Sequence, residues 1–215
     1  MKKFHDGAFY GNFMLTNANE NRFSLTDSLL FLSATTDSTS FLMIDMHDTN
    51  KQIPAGEVVR ESTGIKTVIS NRKYILCDKA GSVFAVSDCY PYIDQYDAHG
   101  KYIRTFDISS ISLIKTSKEY AETFSPYETS IYRYIMDAYL AGGYIYLLCS
   151  SGISDEDYRV NTILKLSVDN EMEHIATYVL PHEFYSSFCL SDTFLYVAQE
   201  VRGATIERIC INDCN

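Results

Sequence analysis

Four short apolar runs of one shape, each entered from a small polar or glycine turn, predict an all-β protein built as a β-propeller of four-stranded antiparallel blades. The runs are Leu29-Leu30-Phe31-Leu32, Val83-Phe84-Ala85-Val86, Tyr144-Ile145-Tyr146-Leu147-Leu148 and Phe194-Leu195-Tyr196-Val197. The turns before them are Asp27-Ser28, Ala80-Gly81, Gly142-Gly143 and Asp192-Thr193. Aligned on Phe31, Phe84, Tyr146 and Tyr196, the runs recur every ~50–60 residues, a blade period lengthened by inserted loops. Composition agrees, with 17 Tyr and 12 Phe but only 4 Pro, because aromatic side chains favour strands and proline interrupts them.

Each run is followed by a polar loop and a second strand: Phe41-Leu42-Met43-Ile44, Tyr92-Ile93-Asp94-Gln95-Tyr96, Thr162-Ile163-Leu164-Lys165-Leu166 and Thr205-Ile206-Glu207-Arg208-Ile209. Two of these continue into a further strand. Asp97-Ala98-His99-Gly100 leads to Lys101-Tyr102-Ile103-Arg104-Thr105-Phe106, and Ser167-Val168-Asp169-Asn170 leads to His174-Ile175-Ala176-Thr177-Tyr178. Gly100 and Asn170 stand where a tight hairpin requires positive φ, which glycine and asparagine accept at least cost. About four blade units result, over 9–60, 65–108, 127–181 and 184–211, within one domain spanning 1–215. The longest insertion carries Ile114-Lys115-Thr116-Ser117-Lys118-Glu119-Tyr120-Ala121-Glu122, expected as a short helix ended by Pro126. The last unit stops after its third strand, so residues 1–22, with Phe9, Tyr10, Phe13, Met14 and Leu15, are expected to supply a closing strand.

With 46% hydrophobic and 21% charged residues, the 215-residue chain has the makeup of a folded domain. Its net charge of −10, from 18 basic and 28 acidic residues, argues against nucleic acid as a partner, because phosphate tracking needs clustered Lys and Arg. No apolar stretch reaches the ~18–20 residues of a membrane helix. Met1-Lys2-Lys3 has the charge of a secretory leader, yet Phe4-His5-Asp6-Gly7 follows without an apolar region. The six cysteines, Cys77, Cys89, Cys149, Cys189, Cys210 and Cys214, form no C-x-x-C pair and read as small buried hydrophobes. Cys210 and Cys214 are close enough in sequence to bridge each other or a partner.

The run Met136-Asp137-Ala138-Tyr139-Leu140-Ala141-Gly142-Gly143-Tyr144-Ile145-Tyr146-Leu147-Leu148 and the later Asn161-Thr162-Ile163-Leu164-Lys165-Leu166 resemble TolB-like six-bladed propellers of Bacteroides-type bacteria. Tyr96-Asp97-Ala98-His99-Gly100-Lys101-Tyr102-Ile103-Arg104-Thr105-Phe106 looks like that family's recurring blade hairpin. The resemblance covers residues 65–211 best and matches the C-terminal two-thirds of such a protein. It implies an exported protein of the cell envelope, some of whose relatives are lipoproteins, and it carries over no catalytic residue. Four units against six imply a shortened or rearranged ring, or one completed by a homodimer.

Chemistry-bearing patterns are sparse. Asp45-Met46-His47-Asp48 and Asp155-Glu156-Asp157 lack the ligand spacing of zinc or calcium sites and read as solvated hairpin ends, so no metal is expected. Ser150-Ser151-Gly152 is not a nucleophile elbow, and Gly64-Ile65-Lys66-Thr67 lacks the Gly-Lys pair of a phosphate loop. No cofactor is expected and no catalytic residue is assigned. What remains is the set of loops between second and third strands, 33–40, 87–91, 150–161 and 199–204. They bring together Asp88, Tyr90, Tyr92, Asp155, Tyr158, Arg159 and Arg202, and tyrosine with arginine is the composition of contact hot spots. The purely structural alternative has the tyrosines covering strand edges and Arg159 paired with Asp155 or Asp157. The expected function is therefore non-catalytic binding of a protein or glycan ligand. The rival is a glycan lyase or hydrolase with carboxylates in a central channel.

Overall fold

The computed structural model describes residues 2–5, 8–12, 23–36, 38–59, 65–123, 131–152, 154, 156–169, 171–191, 193–199 and 205–210. It begins with a hairpin, β1 (Lys2–His5) against β2 (Ala8–Asn12). The first blade then runs β3 (Phe23–Leu25), β4 (Leu29–Ser33), β5 (Phe41–Asp45) and β6 (Gln52–Ala55) as an antiparallel meander. A six-residue helix α1 (Ile65–Ser70) leads to the second blade: β7 (Lys73–Cys77), β8 (Val83–Ser87), β9 (Tyr92–Tyr96) and β10 (Tyr102–Asp107). Helix α2 (Ser112–Thr123) precedes the third: β11 (Ile135–Ala141), β12 (Tyr144–Ser151), β13 (Arg159–Ser167) and β14 (His174–Val179). The fourth contains β15 (Tyr185–Leu190), β16 (Phe194–Gln199) and β17 (Thr205–Cys210). This is a four-bladed β-propeller: the first strand of each sheet lies against the first strand of the next.

Why the blades stack follows from the two-residue period of a strand, which gives every sheet two faces. In the second blade, Ile75, Val83, Ala85 and Tyr96 meet Phe31, Phe41 and Met43 of the first. Its opposite face, Tyr74, Phe84, Val86, Ile93 and Phe106, meets Ile145, Leu147, Cys149, Leu164 and Leu166 of the third. The third blade turns Leu148, Val160 and Ile163 toward Phe188, Leu195 and Val197 of the fourth. Sheets buried on both faces explain the continuous apolar runs of the second and third blades. Helix α2 closes one such core, burying Ile114 completely, and its Ser117 hydroxyl donates to the Ser150 carbonyl.

Gly100 has φ of 76°, and a Cβ there would also collide with the Met43 sulfur of the first blade. In the corresponding hairpin of the third blade the positive φ belongs to Met172, at 50°, whereas Asn170 lies outside the described residues. The expected helix starts two residues early, at Ser112, and Pro126 likewise lies outside the described residues. The N-terminal strands pair with each other, and the fourth blade has three strands among the described residues, so the expected closure by β1 or β2 is not formed; residues 13–22, the rest of the expected closing segment, lie outside the described residues. Pairing two strands that lie close in sequence costs far less loop entropy than pairing with the distant end of the chain.

Cys77, Cys89 and Cys149 behave as the expected apolar fillers, but Cys189 and Cys210 are exposed thiols; Cys214 lies outside the described residues. Burial pushes the Cys77 thiol up to about 11 and also raises Cys89, Cys149 and the Tyr96 phenol. The native state thus holds protons that the unfolded chain releases from the ordinary thiol value of 9.0 upward. The stabilisation is complete below that value and is lost as pH climbs through 9 to 11. Burial lowers Lys73 instead, which works the opposite way, while it also raises the Tyr146, Tyr158 and Tyr185 phenols in the same sense as the thiols. The melting temperature followed by circular dichroism is expected to fall between about pH 9 and 11. A flat profile would contradict the buried-thiol core.

Candidate functional site

The loops after the second strands and the connections into each next blade share one end of the propeller, where main-chain bonds tie them together. The Asp88 amide donates to the Arg72 carbonyl, and the Asp88 carbonyl accepts from Tyr134 and Ile135. One blade further, Ser150 N–H donates to the Tyr134 carbonyl and Val160 N–H to the Glu183 carbonyl. These bonds place the predicted residues Asp88, Tyr90, Tyr92, Tyr158 and Arg159 on one loop-bearing end.

At its centre Asp88 and Arg133 form an ion pair, Nε to Oδ2 at 3.1 Å, with the carboxylate fully buried and the guanidinium 26% exposed. Arg133 Nη2 also donates to the Tyr74 hydroxyl at 3.1 Å, which in turn donates to the Met136 carbonyl. Burial opposes the Arg133 charge, but the Tyr74 oxygen and the Asp88 carboxylate outweigh it and hold the group above its ordinary value. Around it runs a row of rings. Tyr132 meets Tyr134 at 5.0 Å, Tyr120 at 5.9 Å and Tyr158 at 6.4 Å, and Tyr158 reaches Phe184 at 6.3 Å. Burial, then the neighbouring Tyr132, raises the Tyr158 phenol. Ser150 Oγ donates to the Arg133 carbonyl at 2.7 Å and fixes the start of the row.

Beside this row, Tyr90 and Tyr92 stack at 5.5 Å with their planes 11° apart. Tyr92 also borders a cleft of about 300 Å³ between the first and second blades, lined by Glu57, Val59, Tyr92, Asp94, Tyr102 and Thr105. Behind it, Lys73 Nζ lies 3.1 Å from Asp94 Oδ2 and 4.4 Å from the centre of the Tyr92 ring. Burial pulls the Lys73 ammonium below the ordinary lysine value, against the attraction of Asp94.

The predicted residues separate by role. Asp88 is turned inward and holds Arg133, so it is not presented on the surface as expected. Tyr158 joins the aromatic row. Arg159 pairs with Glu183 at 3.2 Å, where its strand is bridged to the 183–184 segment, and among the described residues it makes no ion pair with Asp157. Asp155 and Arg202 lie outside the described residues. Asp45 closes a local turn, its Oδ1 accepting from the His47 and Asp48 amides. Among the described residues no three His, Cys, Asp or Glu side chains are grouped to hold a metal ion.

Sequence reasoning missed Arg133, Lys73, Glu57, Asp94 and Tyr102. Arg133 had a signal, since Tyr132-Arg133-Tyr134 repeats the aromatic–basic composition of Tyr158-Arg159. Lys73 had none: its partner lies 21 residues away, across the sheet.

The fold defines the class, a β-propeller, and comparisons place it among known structures without naming a family. No family model and no curated protein sequence matches the chain. Solved structures do. A streptogramin B lyase, itself a β-propeller, superposes with a TM-score of 0.54 at 9% identity, over 94% of this chain and 57% of its own. Virginiamycin B lyase from Staphylococcus aureus gives 0.52 at 10% identity, over 93% and 59%. A luciferin-regenerating enzyme gives 0.53 at 8% identity, over 87% and 60%. The chain thus spans less than two thirds of each of these proteins, and at such identities the likeness is one of fold.

Proposed function

We propose that this chain is a non-catalytic recognition module of the TolB-like kind, working in the cell envelope and taking a protein or glycan ligand on the loop-bearing end. The observation that carries the reading is the Asp88–Arg133 clamp set into the row of Tyr132, Tyr134 and Tyr158. A guanidinium held by a buried carboxylate is preorganised and loses little entropy on binding. Tyrosines beside it offer contact area with few rotatable bonds. The TolB-like and envelope parts rest on the hairpin motifs of the sequence. Among the described residues no helix is long and apolar enough to cross a membrane.

Replacing Tyr158 and Arg159 together with alanine is expected to leave the circular dichroism spectrum intact, since Arg159 contributes a partly exposed ion pair and local carbonyl bonds and Tyr158 lies at the edge of its core cluster. The same variant is expected to weaken a ligand found by glycan array or envelope-protein pull-down by about tenfold or more. Unchanged affinity would remove this end of the propeller from the site.

A glycan lyase or hydrolase is the second reading, favoured by one observation: Glu57 and Asp94 line the same cleft. Against it, Asp94 is held by Lys73 on one oxygen and by Thr105 on the other. Product release from polysaccharides would restore it. Sedimentation tests the further proposal that a homodimer completes the ring.

A further inference from the structure

The cleft between the first and second blades has a feature that packing alone does not require. Asp94, nearly buried, lines the cleft, and the fully buried Lys73 pairs with Asp94 from behind. A buried ion pair is often no more stabilising than apolar side chains of the same volume. Here the polar groups continue outward. Asp94 Oδ1 accepts from the Thr105 hydroxyl at 2.7 Å, and Thr105 Oγ1 lies 3.0 Å from the Tyr102 hydroxyl at the mouth. Asp94, Thr105 and Tyr102 all line the cleft, so this chain of hydrogen bonds forms its wall.

The opposite wall is held rigidly. The Glu57 amide donates to the Tyr96 hydroxyl at 3.0 Å. Val59 exchanges two bonds with the buried Asn71 side chain: its N–H donates to Oδ1 at 2.7 Å, and its carbonyl accepts from Nδ2 at 2.9 Å. Gly56 lets the chain pass over the first blade with φ of 85°, where a Cβ would fall 2.6 Å from the Phe41 ring. The cleft is therefore preformed, and at about 300 Å³ it stands at the small end of ligand pockets.

We propose that this cleft is a carbohydrate subsite for one neutral hexopyranose unit. The inference deepens the recognition reading, on which it rests, by naming the ligand class. Tyr102, 44% exposed, supplies a ring face for the C–H side of a sugar, while Tyr92, covered by Tyr90 and Lys73, bounds the cleft with its edge. Carboxylates offer about four acceptor positions each; Asp94 uses two within the protein, and the exposed Glu57 stands at the rim. Acceptors beside an aromatic face suit a ligand whose donors are hydroxyl groups. A cationic ligand fits poorly, because the Lys73 ammonium already occupies the Tyr92 ring and neutralises Asp94. An anionic sugar would meet Glu57.

The test is saturation-transfer NMR on the full chain with glucose, galactose, mannose and N-acetylglucosamine as separate probes. At least one is expected to bind with a dissociation constant of about a millimolar, the range of a single small unit. Tyr102→Ala and Glu57→Ala are each expected to weaken it about tenfold without moving the melting temperature, while Ile206→Ala, at an exposed position of the fourth blade, leaves it unchanged. Silence from all four sugars, binding insensitive to both cleft variants, or displacement of the sugar by tetramethylammonium would overturn the assignment. Should Tyr158→Ala reduce capture of a larger ligand while the sugars stay silent, the subsite falls and the recognition reading stands. Sugar binding lost only with the cleft variants, beside capture unaffected by Tyr158→Ala, supports the subsite and removes the loop end.

Discussion

Lys73→Ala is expected to destabilise the protein by about 3–5 kcal/mol, because it leaves a buried carboxylate without its counter-charge. The Lys73 side chain is 0% exposed and Asp94 4%, so the oxygen that faced the ammonium is left largely desolvated. The Thr105 hydroxyl still donates to Asp94, but one neutral donor does not offset a desolvated charge. Urea unfolding reads the loss directly. The double variant Lys73→Met/Asp94→Leu is the necessary companion. It removes both charges and keeps the volume, and it is expected to fall within about 1 kcal/mol of the parent or above it. A mild Lys73→Ala beside a severe double variant would show that the aliphatic stem of Lys73, and not its charge, holds the blades together.

Ile163→Ala is expected to cost about 2–5 kcal/mol, whereas Ile206→Ala should stay within about 0.5 kcal/mol. The two isoleucines hold the same place in the repeat. Each follows a threonine; Ile163 pairs with Leu148 on β12 and Ile206 with Ala198 on β16, two residues past Tyr146 and Tyr196 respectively. Yet Ile163 is 1% exposed in the core between the third and fourth blades, while Ile206 is 76% exposed. Ile163 faces a neighbouring sheet. Ile206 lies on the face of the fourth blade turned away from the third. Equal losses in urea titrations of the two variants would mean that the outer face of the fourth blade is covered in solution, as a dimer would cover it.

The same pair of residues shows where sequence reasoning ends. Local pattern suffices for strands and hairpins, since a two-residue period, a turn residue and an apolar run all act over a few neighbours. On that basis β4, β8, β12 and β16 were legible, as were the strands after them and the Gly100 turn. The first strands were harder. Lys73–Cys77 and Ile135–Ala141 begin or continue with polar residues, and the signal that marks them as the innermost strands is contact with the next blade.

The site was legible to a lesser degree. Tyrosine and arginine in loops singled out one end of the propeller, the end on which the proposed site stands. Composition could not tell that Asp88 turns inward, that Arg159 reaches Glu183, or that Arg133 is the clamped cation. Those outcomes depend on which loop of the next blade stands opposite, a matter of how sheets are rotated against one another.

Taken alone, the order of residues was enough for an all-β chain, a repeated strand–turn–strand unit and a count of four blades, because each follows from short-range periodicity and backbone preference. Only the folded arrangement of the sheets decided which apolar residues are core, how the fourth blade ends among the described residues, and that a lysine and an aspartate 21 residues apart meet beside a cleft. Burial and pairing across blades are long-range quantities: the chain brings the partners together, and no local pattern records who they are.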